Sequence, residues 1–337
     1  MKNLPTQSAA QGVPVTVAGF LEAGRDRLQM TLAAGSPASR CEVEEPIVNR
    51  PGLALTGFFE SFAWKRLQLM GNAENAYLAS LGPGERLARF KGLIDHRARH
   101  FVFTGGHRPD AEMSALAERS GAFIFVTPLS TRVFARLATF VMEQIAAPRT
   151  SVYGTMIEVC GLGVMFEGDP GLGKSETALG LIKRGSALIA DDLTCIRKDV
   201  ATNLLFGSAS ESTAGYMEIR GIGIMHVPSV FGINAVRGEK RLQLVITFKR
   251  LHEIRGEVDR IGQTRRTREI LGVEVPNIII PVSEGRDLVN LVETAAQQQK
   301  LILAGYDPVS ELSERLRKRA GENNVSKSEK RKGKKHG

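Results

Sequence analysis

The apolar positions of the chain follow two rhythms. Between residues 101 and 128, two short unbroken runs, FVFTGG (Phe101–Gly106) and FIFVTP (Phe123–Pro128), read as buried strands, the first ending in glycines and the second closed by Pro128. The stretch RPDAEMSALAERSG between them reads as a helix, opened by Pro109 and Asp110 and stopped by Gly121. Such a strand–helix–strand unit favours a parallel sheet with a right-handed crossover. STRVFARLATFVMEQIAAP then predicts a second helix, apolar at 133, 134, 137, 140, 141 and 145. Pro148 ends it, and the domain boundary is placed there.

Past the boundary the pattern turns β-rich. SVYGTMIEV and GVMFEG are short β-like runs, and a glycine-rich loop follows them into the helix KSETALGLIKRG. That helix turns Ala178, Leu179, Leu181 and Ile182 to one side and is closed by Gly185. ALIADD reads as a strand ending in two aspartates. MEIRGIGIMHV, RLQLVITF and PNIIIPVSEGR are further β-rich segments, and RDLVNLVETAAQQQKLILAG is a C-terminal helix. The fold class expected is α/β: a small N-terminal α/β domain over 1–148, and a second domain over 149–315 built on a phosphate loop and a mixed β-sheet.

Composition changes this picture little. The chain has 337 residues, enough for two domains, with 42% hydrophobic and 24% charged residues, as in ordinary globular proteins. Cys41, Cys160 and Cys195 are far apart without CxxC spacing, which argues against a disulfide framework or zinc site and fits a reducing compartment. No apolar run approaches the roughly 18–20 residues that span a bilayer, and the N-terminus lacks a signal-peptide core. The expectation is a cytoplasmic protein with no membrane partner. Charge is more informative by its location. Of the net +9, the stretch from Arg315 onward carries +8, leaving +1 for residues 1–314. Residues 316–337 therefore read as a basic, disordered tail. Two readings of it stay open: a solubilising tail, or weak, salt-sensitive contact with nucleic acid or an acidic partner.

The chemistry concentrates in GDPGLGKSE. Gly168, Asp169, Pro170, Gly171, Leu172, Gly173, Lys174 and Ser175 fit G-x-x-x-x-G-K-S/T, in the strand–loop–helix context the motif requires. Glycines let successive backbone N–H groups turn inward around phosphate oxygens, and the helix start adds the positive end of its dipole. Lys174 can reach the β/γ-phosphates and Ser175 can ligate Mg²⁺. Pro170 removes one N–H at a variable position of such loops. Asp191 comes 16 residues after Ser175, with Asp192 beside it. Two adjacent carboxylates at a strand end beside a phosphate loop can hold Mg²⁺ through water, accept a proton from an incoming hydroxyl, or simply cap a turn.

GDPGLGKSETAL and LIADD, followed by MEIRGIGI, FGINAVR, DRIG and PVSEGR, together resemble the bacterial HPr kinase/phosphorylase family, and upstream VNRPGLALTGFFESFAWKRLQLMG and APRTSVYG extend the likeness. The resemblance covers about residues 12–315 and implies a P-loop kinase domain. That domain would transfer phosphate from ATP, or pyrophosphate, to a serine of the phosphocarrier HPr and reverse this by phosphorolysis with inorganic phosphate. It also implies a homohexamer. Carried over, Lys174 would be catalytic, Ser175 and Glu218 would hold Mg²⁺, and Asp192, with Asp191, would be the general base, becoming the acid in reverse. Met217, Glu218, Ile219, Arg220, Gly221, Ile222, Gly223, Ile224, Met225 and His226 would form the signature loop. Arg260 would neutralise the transferring phosphoryl group, and Pro281, Val282, Ser283, Glu284, Gly285 and Arg286 would serve phosphorolysis.

This chain departs from the family at Tyr153, where the family carries a catalytic histidine. Tyrosine, with an ordinary pKa around 10, can donate a hydrogen bond or stack near neutral pH but cannot take up a proton there. His226 closes the signature loop where an acidic or amide residue is usual; it either partly restores the missing imidazole or is an ordinary loop histidine. A second functional class therefore stays open: a nucleotide- or phosphate-sensing regulator of the same fold with reduced or one-directional transfer. A third reading is a kinase of some other hydroxyl.

Overall fold

A computed structural model describes residues 14–36, 42–254, 266–283, 285–315 and 317. Cys41, Arg260, Glu284 and nearly all of the basic tail lie outside the described residues. The chain divides into two compact units between Pro148 and Arg149.

The first unit is built on a five-stranded sheet of β1 (Thr31–Ala34), β2 (Val48–Asn49), β3 (Leu67–Met70), β4 (His100–Phe103) and β5 (Phe123–Val126). The spatial order is β1-β5-β4-β3-β2; β2 to β5 run parallel and β1 antiparallel. Strands β3 to β5 are buried at every position, which is why they read as continuous apolar runs. Their alternation divides two cores. Phe101, Phe103 and Ile124 pack with helices α2 (Asn72–Ser80), α3 (Pro83–Asp95) and α4 (Ala111–Arg119). Val102, Phe123 and Phe125 pack on the opposite face with Phe20 and Leu28 from α1 (Val17–Leu28) and with α5 (Thr131–Ala146). Asp110 caps α4 by accepting from the Met113 amide at 2.8 Å.

The second unit centres on a nine-stranded mixed sheet. Its strands are β6 (Arg149–Tyr153), β7 (Thr155–Val159), β8 (Leu162–Glu167), β9 (Ala187–Ala190), β10 (Leu193–Asp199), β11 (Leu204–Ser208), β14 (Glu239–Arg250), β15 (Arg266–Ile270) and β16 (Val273–Val282). A separate hairpin, β12 (Tyr216–Ile219) and β13 (Gly223–His226), lies between β11 and β14 in sequence. The sheet order is β9-β7-β8-β14-β11-β10-β6, with β16 beside β14 and β15 beside β16. One face, through Val164, Phe166, Leu244 and Ile246, packs with α6 (Lys174–Lys183) and α7 (Leu288–Leu303). The alternate residues Met165 and Val245 pack on the other face with Val152, Ile196 and Leu205.

Strand direction decides where the chemistry falls. β8, β14 and β16 are parallel. β9 is not the neighbour of β8: β7 lies between them, antiparallel to both. Two reversals restore the direction, so the carboxyl ends of β8 and β9 emerge on the same edge. There Glu167 leads into the glycine loop and Ala190 into the aspartates, as expected at the carboxyl edge of an α/β sheet.

Candidate active site

The loop from β8 to α6 is shaped by its glycines. Gly168 has φ +141° where the chain crosses β14; a Cβ there would lie 2.5 Å from the Phe248 carbonyl. Gly173, at φ +83°, is the N-cap of α6 and offers no capping side chain, so the first-turn amides of the helix stay open toward the loop. Leu172 turns into the core and anchors the loop. Lys174 Nζ donates to the carbonyls of Gly168 (2.7 Å) and Asp169 (3.2 Å), folding the ammonium over the loop.

The two aspartates leave β9 with opposite attitudes. Asp191 turns inward: its Oδ1 accepts from Thr155 Oγ1 at 2.8 Å and Ser175 Oγ at 3.2 Å, and its Oδ2 from the Glu218 amide at 3.1 Å. Burial pushes the Asp191 carboxyl above the ordinary carboxylate range. Bonds from Thr155, the Glu218 amide and Ser175 pull it back, while the Asp192 charge raises it further. Asp192 turns outward, exposed, at φ +58°.

The β12–β13 hairpin completes the site by period-two alternation. Met217 and Ile219 are buried in the core, which leaves Glu218 and Arg220 outward. The Arg220 guanidinium lies over the glycine loop, 3.1 Å from where a Cβ on Gly171 would sit. Pro170, Gly171, Gly173, Lys174, Ser175, Glu176, Asp192, Glu218 and Arg220 line one cleft of about 330 Å³. It offers two cations, three carboxylates, a hydroxyl and a helix N-terminus, the equipment for positioning and neutralising phosphoryl groups.

The sequence-expected residues Lys174, Ser175, Asp192, Glu218 and the glycines thus meet in one place. Asp191 stands behind them. Tyr153 and His226 do not line this cleft. Tyr153 ends β6, paired with Leu193 and 83% exposed. His226 Nδ1 is 2.6 Å from Ser229 Oγ, and its ring lies against Tyr216. Pro281 and Val282 close β16 rather than opening a loop, and they pair with Lys249 and Arg250 at the end of β14. Of the ten residues Met217–His226 of the expected signature loop, seven are strand. Sequence reasoning gave Arg220 no individual role and passed over Glu176 and Thr155. Arg220 sits at an alternate position from Glu218, which was the available signal. Thr155 has none, being a threonine within a buried strand.

Ser175, Asp192 and Glu218 bring only oxygen donors to the cleft, the ligand type of a hard cation such as Mg²⁺, which is typically held by one or two carboxylates together with substrate phosphates.

Two family models match the chain: "HPr Serine kinase N terminus" over residues 15–142 and "HPr Serine kinase C-terminal domain" over residues 144–316. The HPr kinase/phosphorylase of Leptospira biflexa serovar Patoc is 39% identical over 293 residues, 86% of this chain and 90% of that protein. That of Geobacter sulfurreducens is 35% identical over 289 residues, again 86% and 90%. Among solved structures, the Hpr(Ser) kinase/phosphatase of Coxiella burnetii is 33% identical and covers 48% of this chain and 98% of its own, with a TM-score of 0.44. The chain belongs to the HPr kinase/phosphorylase family.

Proposed function

We propose that this protein phosphorylates a serine hydroxyl of HPr, or an HPr-like phosphocarrier, from ATP, and removes that phosphate by phosphorolysis. The observation that carries the reading is the single cleft in which an exposed carboxylate, Asp192, shares walls with Lys174, Ser175, Glu218 and Arg220 at the open N-terminus of α6.

The polyphosphate lies along the glycine loop, its oxygens taking the α6 amides and the Lys174 ammonium, which leaves the Gly168 and Asp169 carbonyls to reach it. Ser175 and Glu218 would hold Mg²⁺, which would neutralise phosphate charge. Asp192 accepts the proton of the serine hydroxyl as its oxygen bonds to the γ-phosphorus and the β–γ bridging bond breaks, releasing ADP. In the other direction an oxygen of inorganic phosphate bonds to the phosphoserine phosphorus. The seryl oxygen leaves with the proton from Asp192, and pyrophosphate is formed. Arg220 is a cation for the transferring oxygens, alongside the role read for Arg260 outside the described residues. A role in regulating carbon metabolism, a cytoplasmic location and a homohexamer complete the reading. A second reading, a nucleotide- or phosphate-sensing regulator with reduced or one-directional transfer, rests on Tyr153 alone, and that side chain lies outside the cleft lining.

The test is direct. Purified protein, HPr, labelled ATP and Mg²⁺ give phosphoserine-HPr, and excess phosphate then releases pyrophosphate. Lys174→Ala abolishes both signals while leaving the fold intact. Absence of phosphoserine from the parent protein would overturn the reading; phosphoserine without pyrophosphate would replace it with the one-directional form. Light scattering of the purified protein reads the subunit number, and six is expected.

A further inference from the structure

Asp191 and Asp192 are chemically identical neighbours, yet one is tied inward and the other stands in the cleft. Nothing in their own pair explains the division. The explanation lies in two threonines that are fully buried, Thr155 and Thr194, both 0% exposed. A hydroxyl in a sheet core is a poor choice unless it is bonded, since valine has the same shape without the desolvation penalty. Both hydroxyls are bonded, and both bonds lead to the aspartate turn.

Thr155 Oγ1 donates to Asp191 Oδ1 at 2.8 Å, fixing that carboxylate against Ser175 at the start of α6. Thr194 Oγ1 donates to the Gly154 carbonyl at 2.8 Å. The Gly154 amide in turn donates to the Asp192 carbonyl at 2.8 Å. Gly154 is itself pinned, because a Cβ there would lie 2.6 Å from the Phe166 carbonyl on the strand that enters the glycine loop. The Leu193 amide donates back to the Asp191 carbonyl at 2.7 Å, closing a three-residue turn with Asp192 at its centre and φ +58°. A non-glycine residue in such a turn is strained, and the surrounding structure must hold it there. The Gly154–Thr155 dipeptide is that hold, and it registers both aspartates against the phosphate loop.

We infer that Thr155 and Thr194 are positioning residues for phosphoryl transfer: Thr155 holds Asp191 inward on the phosphate helix, and Thr194, through Gly154, holds the strained turn that aims Asp192 into the cleft. This rests on the reading of Asp192 as proton acceptor.

The two threonines leave different fingerprints. Thr194→Val lowers kcat for HPr phosphorylation about tenfold, with KM for ATP and the Kd for ADP measured without metal within twofold of the parent, because only Asp192 loses its aim. Thr155→Val lowers kcat similarly and also weakens ADP binding, because Asp191 contacts Ser175. Thr194→Ser and Thr155→Ser, which keep the hydroxyl, restore kcat to within about threefold. In an Asp192→Asn background, Thr194→Val has no further effect on the residual rate. Loss of less than tenfold in Asp192→Asn alone would overturn the proton-acceptor reading. With that loss intact, unchanged kcat in the valine variants, failure of serine to rescue, or additive losses in the double variant would overturn the positioning role by itself. A valine variant that fails to fold is replaced by alanine at the same position, judged by the same serine rescue.

Discussion

Each unit presents the carboxyl edge of parallel strands, and the two edges have been used in opposite ways. In the first unit the polar groups at that edge satisfy one another. Arg50 forks onto Glu74, Nε to Oε1 at 3.1 Å and Nη2 to Oε2 at 3.0 Å, and Glu74, nearly fully buried, also accepts from the Gly71 amide. Thr104 pairs with Thr131, Asn72 with His107, and the Gly105 and Gly106 amides with the carbonyls of Leu129 and Thr127. In the second unit the corresponding donors face a gap. The α6 N-terminus has no capping side chain, and the Lys174 ammonium rests on carbonyls of its own loop. A parallel sheet supplies a crevice in either case. Whether it becomes a site depends on whether the polar groups around it point at each other or at a prospective ligand.

The sharpest way to break the contrast is to make the second edge resemble the first. Gly173→Val places a branched side chain at φ +83° over the helix start. Loss of a phosphate-directed donor set predicts a fall of at least about 10²-fold in transfer. ADP binding followed by calorimetry should fall with it, while circular dichroism stays that of the parent.

Acid separates the units next, with opposite signs. Burial, then the neighbouring Arg99 charge, lowers His100 in the first unit to about 4. Between that value and its ordinary 6.5 the unfolded chain binds a proton that the folded unit refuses. Stability is therefore full above pH 6.5 and declines as pH falls toward 4, by up to about 3 kcal/mol. Asp191 contributes the reverse: its carboxyl is raised, so its contribution is full at low pH and is lost as pH rises through the folded value. Urea melts at stepped pH in the presence of a chelator should show the first unit losing midpoint across pH 6.5–4, and His100→Gln should flatten that slope.

Arg50→Ala tests the closed edge at a smaller scale. It leaves the buried Glu74 carboxylate with the Gly71 amide alone. Since Arg50 is itself half-exposed, the expected loss is about 2 kcal/mol, below the 3–5 of a fully buried pair. The urea midpoint of the first unit should fall accordingly. Tyr153→His is the smallest effect. The side chain is exposed outside the cleft lining, so phosphorylation and phosphorolysis, assayed separately, should each change less than about threefold. A larger change in one direction alone would show that position 153 reaches the reacting groups.

Much of this was legible in the chain. The runs around Phe101 and Phe123 read as strands because both of their faces are buried, and the helix between them announced itself through Asp110 and Gly121. The glycine loop was readable because its backbone geometry allows few other residues. Less visible were β10 and β11: LTCIRKD buries its positions without a clean period, and LLFGS alternates in burial but puts Gly207 at one of its two buried positions, so its apolar pattern does not show the alternation. The stretch from Met217 to His226 reads as β-rich, with glycines at 221 and 223 at its turn, but where its hairpin lies is fixed by Met217 and Ile219 packing into a core formed elsewhere.

Local sequence determined the elements that depend on neighbours a few residues away: helix caps, the left-handed glycines, the spacing that presents Lys174 and Ser175 together. Tertiary structure decided what depends on distant strands: the insertion of β7 between β8 and β9, and the division of labour between Asp191 and Asp192. Two adjacent carboxylates carry no label of their own. Thr155, 36 residues away in sequence, and the Glu218 amide, 27 away, reach one of them because the fold brings them there, and burial then does to its charge what no local pattern could foretell.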